Sequence, residues 1–276
     1  YSKIGNMFKS SSASSKVLTG SLVKAYAAIK SIEKGFDKLS TSVKNSMDFV
    51  ETFNYWNVAL DKISGDFSEQ FEKYGKENVV AMSVSYGQKH TKELKASTDV
   101  ANYYGVEHIY INLADIFKYS DCSLLEHSDK EIPHDTYANQ LAETDGAPVS
   151  TYVPFRNGLF LSTAASVAIS KNCDIIYYGA HSDDAAGSAY PDCSKEFNQA
   201  MSDAIYLGSG KSVRVEAPFV QWTKKDIVKE GLRLKVPYEL TWSCYEGKDK
   251  PCSKCGTCID REKAFELNGE IDPLLK

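Results

Sequence analysis

The pattern of hydrophobic positions changes near residue 78. Before that point, apolar residues recur at steps of three and four, which is the spacing of one face of an α-helix. The pattern predicts one long helix or a helical pair within residues 1–75, after a Ser/Lys tract at 9–16. The apolar positions are Leu22, Tyr26, Ile29, Ile32, Phe36, Leu39, Val43 and Met47, followed by Phe49, Phe53, Trp56 and Leu60.

After residue 78, short apolar runs alternate with amphipathic segments. This alternation is typical of βαβ units and a mostly parallel sheet, so the predicted class for residues 76–240 is α/β. Residues 120–150 show no clear period, and we expect a long excursion near a ligand site there. Strands are predicted at 79–84, 108–113, 174–179 and 213–217, and helices at 92–104, 158–170, 195–207 and 224–234.

Composition narrows the class of protein. Of the 276 residues, 42% are hydrophobic, which is enough for a packed core, and the formal net charge of -5 excludes a generally basic surface that coats nucleic acid. No apolar run approaches the roughly 18 residues that a membrane span needs. The opening residues contain no signal-like apolar stretch, so we expect a cytoplasmic protein. The first 75 residues contain no Cys, His, Pro or Arg, which predicts a domain boundary near residue 75.

Four of the seven cysteines stand close together near the C-terminus. Cys244, Cys252, Cys255 and Cys258 have the spacing C-x7-C-x2-C-x2-C. Thiolates two residues apart on a tight turn can reach one ion, and zinc prefers four such ligands in a tetrahedron. The spacing leaves an iron–sulfur cluster and unliganded thiols open as alternatives. We predict a structural zinc site that holds residues 241–276 in a C-terminal lobe.

A polar loop follows the predicted strand at 174–179. It contains His181, Asp183, Asp184 and Asp192 among Gly and other small residues. Open α/β sheets bind ligands at the carboxyl ends of their strands, so this loop is a candidate site. The alternative is an ordinary polar turn in which Asp192 caps the next helix.

A set of motifs runs in order along residues 76–265. They are Tyr86-Gly-Gln-Lys-His90 with Glu93, Ser150-Thr-Tyr-Val-Pro-Phe-Arg-Asn157, Tyr190-Pro-Asp-Cys193 with Glu196-Phe197, Lys224, and the four cysteines. Together they resemble the 7-cyano-7-deazaguanine synthase family (QueC) of the queuosine pathway. The second motif matches the family's TFVPGRN stretch, except that Phe155 stands where the family usually has Gly.

The resemblance implies an ATP-dependent carbon–nitrogen ligase with a Rossmann-like sheet (HUP, N-type ATP pyrophosphatase). The family converts 7-carboxy-7-deazaguanine and ammonia to the nitrile, with ATP, Zn²⁺ and an expected Mg²⁺. By resemblance, Arg156 and Lys224 contact phosphate or carboxylate, and Asp183 and Asp192 hold the deazaguanine amino edge or Mg²⁺. The expected partners are these small molecules. A homodimer is possible, and we expect no binding to membranes or nucleic acid. Residues expected to bind substrate or ATP are Tyr86, Gly87, Gln88, His90, Asn157, His181 and Tyr190.

One family motif is missing. The family's first strand ends in Ser-Gly-Gly-x-Asp-Ser, a loop whose backbone amides bind the ATP pyrophosphate. The nearest string here, Ser64-Gly-Asp-Phe-Ser68, lacks the second Gly and the Asp-Ser pair. In such folds the first strand is central, in the order 3-2-1-4-5. Its loss would leave a gap of about 10 Å between the strands at 79–84 and 174–179.

We therefore predict a sheet that lacks its first strand and a synthase whose activity is impaired. One explanation is a join near residue 75 between a truncated synthase and a helical segment, because residues 40–75 weakly resemble phage tail tape-measure proteins. The other is a diverged synthase with a different ATP site. The alternative function is a catalytically inactive zinc-bound domain fused to a phage structural segment.

Overall fold

The computed structural model describes the backbone of residues 47–51 and, in full, residues 76–145 and 147–276. The predicted Ser/Lys tract, the helical stripe at 22–43 and the part of the tape-measure-like stretch at 52–75 lie outside the described residues. The strands are β1 (Met47–Glu51), β2 (Val79–Ser85), β3 (Glu107–Asn112), β4 (Cys173–Tyr177) and β5 (Arg214–Glu216). The helices are α1 (Lys92–Tyr104), α2 (Ala114–Phe117), α3 (Tyr137–Glu143), α4 (Arg156–Lys171), α5 (Ser182–Ala185), α6 (Lys195–Gly208), α7 (Lys224–Leu234) and α8 (Gly256–Glu266). Short 3-10 helices occur at Lys76–Asn78, Ala186–Ser188, Pro191–Cys193, Tyr238–Leu240 and Pro273–Leu275.

The five strands form one parallel sheet in the order β3-β2-β1-β4-β5. The central strand β1 pairs with β2, where Phe49 lies opposite Val80, and with β4, where Val50 lies opposite Tyr177. The predicted α/β class with a parallel sheet is confirmed.

The prediction of a sheet without its first strand was wrong, and so was the helical prediction for residues 47–51. Residues 47–51 occupy the position between β2 and β4 that was expected to be a gap. An empty position there would bury the facing N–H and C=O groups of both neighbours without partners. Ladder hydrogen bonds are made by the backbone, so a segment without the family motif can supply them. Tertiary pairing therefore overrides the helical spacing of Met47 and Phe49.

The four strands and four helices predicted after residue 78 agree with the structure to within two residues at each end, and α1 and α7 have the predicted bounds. Helices α2, α3, α5 and α8 were not predicted. Helix α1 ends at Gly105, whose φ of 67° lies in the left-handed region and whose N–H bonds to the carbonyls of Ala101 and Asn102. A glycine is favoured there because it has no Cβ to clash.

The main core lies between the sheet and helix α4. Met82 and Ile176 of the sheet and Phe160 and Leu161 of α4 are at most 1% exposed. Fully burying side chains of this size stabilises a fold by about 1.5–3 kcal/mol each. Truncating Leu161 to Ala would cost about 2–5 kcal/mol, since it leaves a cavity as well.

A second cluster joins α7 to α8. Phe219, Ile227, Tyr238 and Phe265 are buried against one another, and the Tyr238 and Phe265 rings meet edge-to-face at 4.9 Å. Helix α7 begins with a capping box between Thr223 and Asp226, which fixes its first turn. No helix among the described residues is long and apolar enough to cross a bilayer. The domain boundaries at 75 and 240 stay predictions.

Candidate functional site

The loop after β2 is held in a tight turn by its own side chains. Gly87 has φ +81°, a conformation that L-residues rarely adopt, and the Gln88 Oε1 accepts a hydrogen bond from the Tyr86 N–H at 2.9 Å. Gln88 also bridges to the backbone of Leu125. Its Nε2 is buried without a hydrogen-bond partner in the described part of the chain. Gly87 and Gln88 therefore shape the turn that presents Tyr86.

Arg156 lies over Tyr86 from the first position of α4. Its guanidinium carbon is 5.0 Å from the centroid of the Tyr86 ring and 5.9 Å from that of Phe160. Burial raises the pKa of the Tyr86 hydroxyl far above its ordinary value, and the charge of Glu93 adds to this effect. The ring is therefore neutral, and its face stabilises the Arg156 cation next to the end of β2.

Glu93 is a buried carboxyl group that the sequence analysis named only as part of a motif. It lies in the first turn of α1, is 2% exposed, and has its Oε1 3.6 Å from the Nε2 of His90. Its Oε2 makes no hydrogen bond to any of the described residues. Burial raises the pKa of Glu93 to about 8, although the charge of Arg156 opposes the shift. The only signal in the sequence is its spacing of three residues from His90.

His90 joins the β2 loop to the cysteine-bearing lobe. Its ring lies against Gly247, where an added Cβ would come within 2.2 Å of the ring Cγ. Gly247 also has φ +61°, so both its conformation and this contact favour glycine. Burial lowers the pKa of His90, while the backbone of Cys244 and that of Tyr245 act in the opposite direction.

Asp192 points toward the start of α4. Its Oδ2 accepts a hydrogen bond from the Asn157 N–H at 2.9 Å, and the Asn157 Nδ2 donates to the Asp192 carbonyl at 3.1 Å and to the Cys193 Sγ at 3.1 Å. Burial raises the pKa of Asp192, which the Asn157 N–H opposes. The hydrogen bonds between Asn157 and Asp192 thus hold the Tyr190–Cys193 turn against the N-terminus of α4. Their expected contacts with substrate, and that of Asp192 with Mg²⁺, stay predictions.

A buried charged cluster lies in the loop after β4. The His181 Nε2 is 3.1 Å from the Asp184 Oδ2, and His181 is fully buried. The Lys224 Nζ is 3.5 Å from the Asp184 Oδ1 and 2.9 Å from the Asp260 Oδ2. Burial alone would raise the pKa of Asp184, but the charges of His181 and Lys224 hold it well below its ordinary range. Asp184 is therefore ionised.

Lys224 is 6% exposed, and its charge is set by the same cluster. Burial would lower the pKa of Lys224, but Asp184 and Asp260 raise it well above its ordinary value. The Asp183 Oδ2 accepts a hydrogen bond from the Lys224 backbone N–H at 2.7 Å. Asp183 therefore holds the start of α7. The Lys224 ammonium pairs instead with Asp184 and Asp260, to which the sequence analysis gave no individual role.

Three buried tyrosine hydroxyls link this cluster to the cysteine-bearing lobe. The Tyr245 hydroxyl lies 2.9 Å from that of Tyr137 and 3.1 Å from that of Tyr190, which in turn lies 2.6 Å from the Thr151 Oγ1. Burial raises the pKa of Tyr190 to about 12, with a further contribution from Asp184. Tyr245, the residue after the ligand candidate Cys244, therefore holds the Tyr190 hydroxyl in place.

A cleft of about 520 Å³ opens beside the charged cluster. Its walls include Tyr137 of α3, Asp183 of α5, Lys224 of α7, and Asp260 and Lys263 of α8.

The predicted site residues thus fall into three groups. Tyr86, Gly87, Gln88, His90 and Arg156 surround the end of β2; His181, Asp183 and Lys224 surround the loop after β4 and the cleft; Asn157, Tyr190 and Asp192 connect α4 to the Tyr190–Cys193 turn.

The four cysteines form a compact ligand set. Their Sγ atoms all lie within 4.8 Å of one another, and those of Cys252 and Cys258 are 3.9 Å apart. A tetrahedral ion with metal–sulfur bonds of about 2.3 Å needs sulfur separations of about 3.8 Å. Backbone N–H groups of Cys252 and Cys255 donate to the sulfurs of Cys244 and Cys252, respectively, at 3.3 Å. The prediction that this cluster could hold a metal ion is confirmed.

Most of this chain matches known proteins in sequence. Residues 70–269 match the family model described as queuosine biosynthesis protein QueC. A 7-cyano-7-deazaguanine synthase from Archaeoglobus fulgidus is 43% identical over 198 residues, which are 71% of this chain and 79% of the relative. The one from Caldicellulosiruptor bescii is 40% identical over 196 residues, which are 71% of this chain and 85% of the relative.

A structural comparison finds a more distant likeness. The U34-tRNA thiolase NcsA from Methanococcus maripaludis, solved with its 4Fe-4S cluster, aligns with a TM-score of 0.43 at 15% identity, covering 70% of this chain and 59% of that one. The family assignment comes from the sequence matches, which extend over most of the chain and include all of the predicted site residues. The chain belongs to the QueC family of queuosine biosynthesis proteins.

Proposed function

We propose that this chain is an ATP-dependent 7-cyano-7-deazaguanine synthase, which converts 7-carboxy-7-deazaguanine and ammonia to the nitrile. A carboxylate is a poor electrophile, so ATP first activates it as an acyl-adenylate. Ammonia displaces AMP to give the amide, and a second activation by ATP allows the amide to lose water. Negative charge develops on phosphate and acyl oxygens in both activations, so fixed cations near those oxygens accelerate the reaction.

The observation that carries the proposal is the placement of Arg156. It is only partly exposed, begins α4, and lies on the Tyr86 ring at the carboxyl end of β2, a strand next to the central strand. Its charge also acts on Asp184 and Asp192 in the loop after β4. A planar guanidinium between the ends of two strands suits a carboxylate or phosphate ligand. Arg156 is therefore assigned to the acyl or phosphate oxygens.

Lys224 and Asp183 are assigned to the neighbouring nucleotide side of the site. Both line the cleft, and Lys224 is held by two carboxylates, so its ammonium has a fixed position. Asp183 is the better placed of the two aspartates expected near Mg²⁺, because it lines the cleft, whereas Asp192 is 4% exposed. Mg²⁺ would neutralise the phosphate charge of ATP, and Asp183 would contribute one oxygen to it.

The cysteine cluster is assigned to structural Zn²⁺. Sulfurs within 4.8 Å of one another fit one tetrahedral ion, whereas a four-iron cluster places its thiolates on separate irons and spreads them more widely. Four protein ligands leave no coordination position for substrate. The ion would fix residues 244–258, which contact His90 through Gly247 and carry Tyr245.

The absence of the family's phosphate loop bears on how fast this chain turns over. The strand β1 is present, but residues 52–75 contain no Ser-Gly-Gly-x-Asp-Ser sequence. Backbone amides of that loop bind pyrophosphate in the family pattern, so we propose that this chain turns over at least tenfold more slowly than a chain that carries the loop.

Product formation tests both parts of the proposal. The full chain is incubated with 7-carboxy-7-deazaguanine, ¹⁵N-ammonium, Mg²⁺ and ATP, and the nitrile is measured by mass spectrometry. A second chain has residues 1–75 replaced by a strand–SGGxDS–helix unit, and a third adds Arg156→Gln to it. The second chain should form labelled nitrile, the full chain much less, and the third none.

Each contrary result has a distinct meaning. If neither the full nor the repaired chain forms the nitrile, the synthase proposal fails and the catalytically inactive alternative is favoured. If both form it equally fast, the phosphate loop is not needed, and ATP binds through another segment. If Arg156→Gln leaves the repaired chain active, Arg156 is not the oxygen-binding cation.

A further inference from the structure

Glu93 combines burial, a titratable carboxyl group and an oxygen without a partner among the described residues, which packing does not explain. It is 2% exposed and its Oε2 has no hydrogen-bond partner among the residues that the structure describes. Buried polar atoms are almost always hydrogen-bonded, because leaving one unmet costs the free energy of removing it from water. The Gln88 Nε2, a donor in the same segment, does not bond to it, because that atom also has no hydrogen-bond partner among the described residues. Glu93 therefore needs a small donor, which a cation with N–H groups would supply.

The side chains around Glu93 favour such a ligand. His90 is its ion-pair neighbour: the His90 Nε2 lies 3.6 Å from the Glu93 Oε1, and the His90 ring lies against Gly247. Arg156 acts on Glu93 through space while its guanidinium lies on the Tyr86 ring. The Tyr86 hydroxyl is neutral because burial raises its pKa far above the ordinary value. The Glu93 carboxyl group thus lies near a neutral tyrosine and near a cation whose guanidinium faces that ring.

We propose that Glu93 binds the ammonium ion that supplies the nitrogen of the product, an inference that rests on the proposed function. Ammonium is about as small as a water molecule and carries four N–H donors, so it can pair with a buried carboxylate oxygen without a side chain to carry it there. A buried carboxylate and a bound ammonium together carry no net charge, which removes the cost of burying either alone.

Glu93 also provides the base that the reaction requires. Ammonium has no lone pair and cannot attack the acyl carbon. One N–H bond breaks, its proton moves to the Glu93 Oε2, and the electron pair stays on nitrogen. The resulting ammonia attacks the acyl-adenylate and forms the C–N bond. AMP leaves with the C–O bonding pair, and its phosphate takes the second N–H proton that the nitrogen must lose to form the amide. Burial raises the pKa of Glu93 to about 8, which brings it near the working pH, where a general base is most effective.

The location agrees with the assignment of Arg156. Glu93 and Tyr86 both interact electrostatically with Arg156, which is assigned to the acyl or phosphate oxygens. Ammonia released at Glu93 would therefore appear within electrostatic reach of the group that holds the electrophile. Glu93 lies in the first turn of α1 and Arg156 begins α4, so helices carry both residues.

Ammonium binding is tested on the full chain without requiring turnover. Glutamate labelled with ¹³C at the carboxyl carbon is incorporated, and the Glu93 resonance is assigned by its loss in Glu93→Gln. Ammonium chloride is then titrated against potassium chloride at constant ionic strength, because potassium has a similar size but no N–H donors. Ammonium should shift the Glu93 resonance toward the ionised position and saturate, whereas potassium should leave it unchanged. The same titration should raise the melting temperature by a few degrees in the full chain and not in Glu93→Gln.

The matched control is Glu262→Gln. Glu262 of α8 is partly buried and has an unpartnered Oε1 among the described residues, so it tests whether any such carboxylate responds. The proposal is overturned if ammonium and potassium give equal shifts, if neither shifts the resonance, or if Glu262→Gln abolishes the response. Should Glu93→Gln fail to fold by circular dichroism, Glu93→Asp supplies the assignment, and the ammonium–potassium comparison in the unmodified chain still decides.

Kinetics in the repaired chain separates this inference from the proposed function. Glu93→Gln should raise KM for ammonium at least tenfold, while hydroxylamine, which is mostly neutral at pH 7, should keep its kcat/KM within twofold. Equal losses with both nucleophiles would mean that Glu93 is structural. If ammonium shifts the Glu93 resonance but the repaired chain forms no nitrile, the ammonium site is supported and only the synthase assignment fails.

Discussion

The ammonium group of Lys224 lies 2.9 Å from a carboxylate oxygen of Asp260 and joins the start of α7 to α8. Asp260 follows the ligand candidate Cys258 by two residues, so a cation of the candidate active site is held directly by the cysteine-bearing lobe. The lobe therefore positions residues of the site in addition to closing the C-terminal end of the fold.

Removing the Lys224 ammonium should be strongly destabilising. Lys224→Met keeps the aliphatic stem but leaves Asp184 and Asp260 without their shared cation. Breaking a buried ion pair from one side costs about 3–5 kcal/mol. Urea unfolding measures the loss, and Lys225→Met, at the exposed neighbouring lysine, should change stability by less than about 0.5 kcal/mol. Equal effects of the two variants would contradict a structural role for the pair.

Loss of the metal should be visible at Trp242. This residue is 9% exposed, its Nε1 donates to the Cys244 carbonyl at 2.9 Å, and the Lys92 Nζ lies 4.6 Å from the ring centroid. A strong chelator should release about one zinc ion per chain and shift the tryptophan emission to longer wavelength as the lobe loosens. Cys255→Ser should purify with little zinc, whereas Cys122→Ser should keep it. Iron in place of zinc by elemental analysis would refute the zinc assignment.

Phe155 should be strained where the family usually has glycine. Its φ of 55° lies in the left-handed region, and its ring packs over Gly158 and meets Phe197 at 5.7 Å. Phe155→Gly and Phe155→Ala lose the same ring, but only the alanine keeps a Cβ in this conformation. The glycine variant should therefore be more stable than the alanine variant by about 1 kcal/mol. Parallel urea denaturation measures the difference, and an alanine variant of equal or higher stability would show that the strain is absent.

Stability should depend on pH through Glu93. Burial raises its pKa in the folded chain to about 8, well above the ordinary value of 4.5. A raised pKa means that the folded state binds the proton more tightly, so this stabilisation is complete below about pH 4.5 and is lost as pH rises toward 8. The effect is on the order of 4 kcal/mol across that window. Glu93→Gln should remove this slope, so its stability relative to the unmodified chain should increase from pH 5 to pH 8. Parallel slopes in urea unfolding would show that Glu93 is not a buried acid.

Local patterns predicted most of the elements, because short-range periodicity fixes them. The bounds of α1 follow from its amphipathic spacing and from Gly105, and those of α7 follow from its amphipathic run, with its first turn fixed by Thr223 and Asp226. The spacing of the four cysteines predicted a shared ligand set, because a tight turn brings the sulfurs of cysteines this close in sequence near one another.

Features that depend on distant partners could not be predicted in this way. Strand β1 exists because β2 and β4 offer it their backbone groups, which no pattern within residues 47–51 reveals. The pairing of Lys224 with Asp184 and Asp260, and the inward orientation of Asp192, likewise arise from contacts across the fold. The burial of Glu93 was missed because a charged residue in a first helical turn is ordinarily solvated.

The central position of β1 also sets an order of events during protein synthesis. Its neighbour β2 begins 28 residues after Glu51, but β4 begins only at Cys173, 122 residues after it. A ribosome releasing the chain therefore completes the β1–β2 ladder long before the opposite edge of β1 can be covered. Until β4 emerges, that edge is an open template for other chains. Nascent molecules are consequently most prone to aggregation while residues 80–172 are being translated, and chaperones that shield extended segments should matter most in that interval.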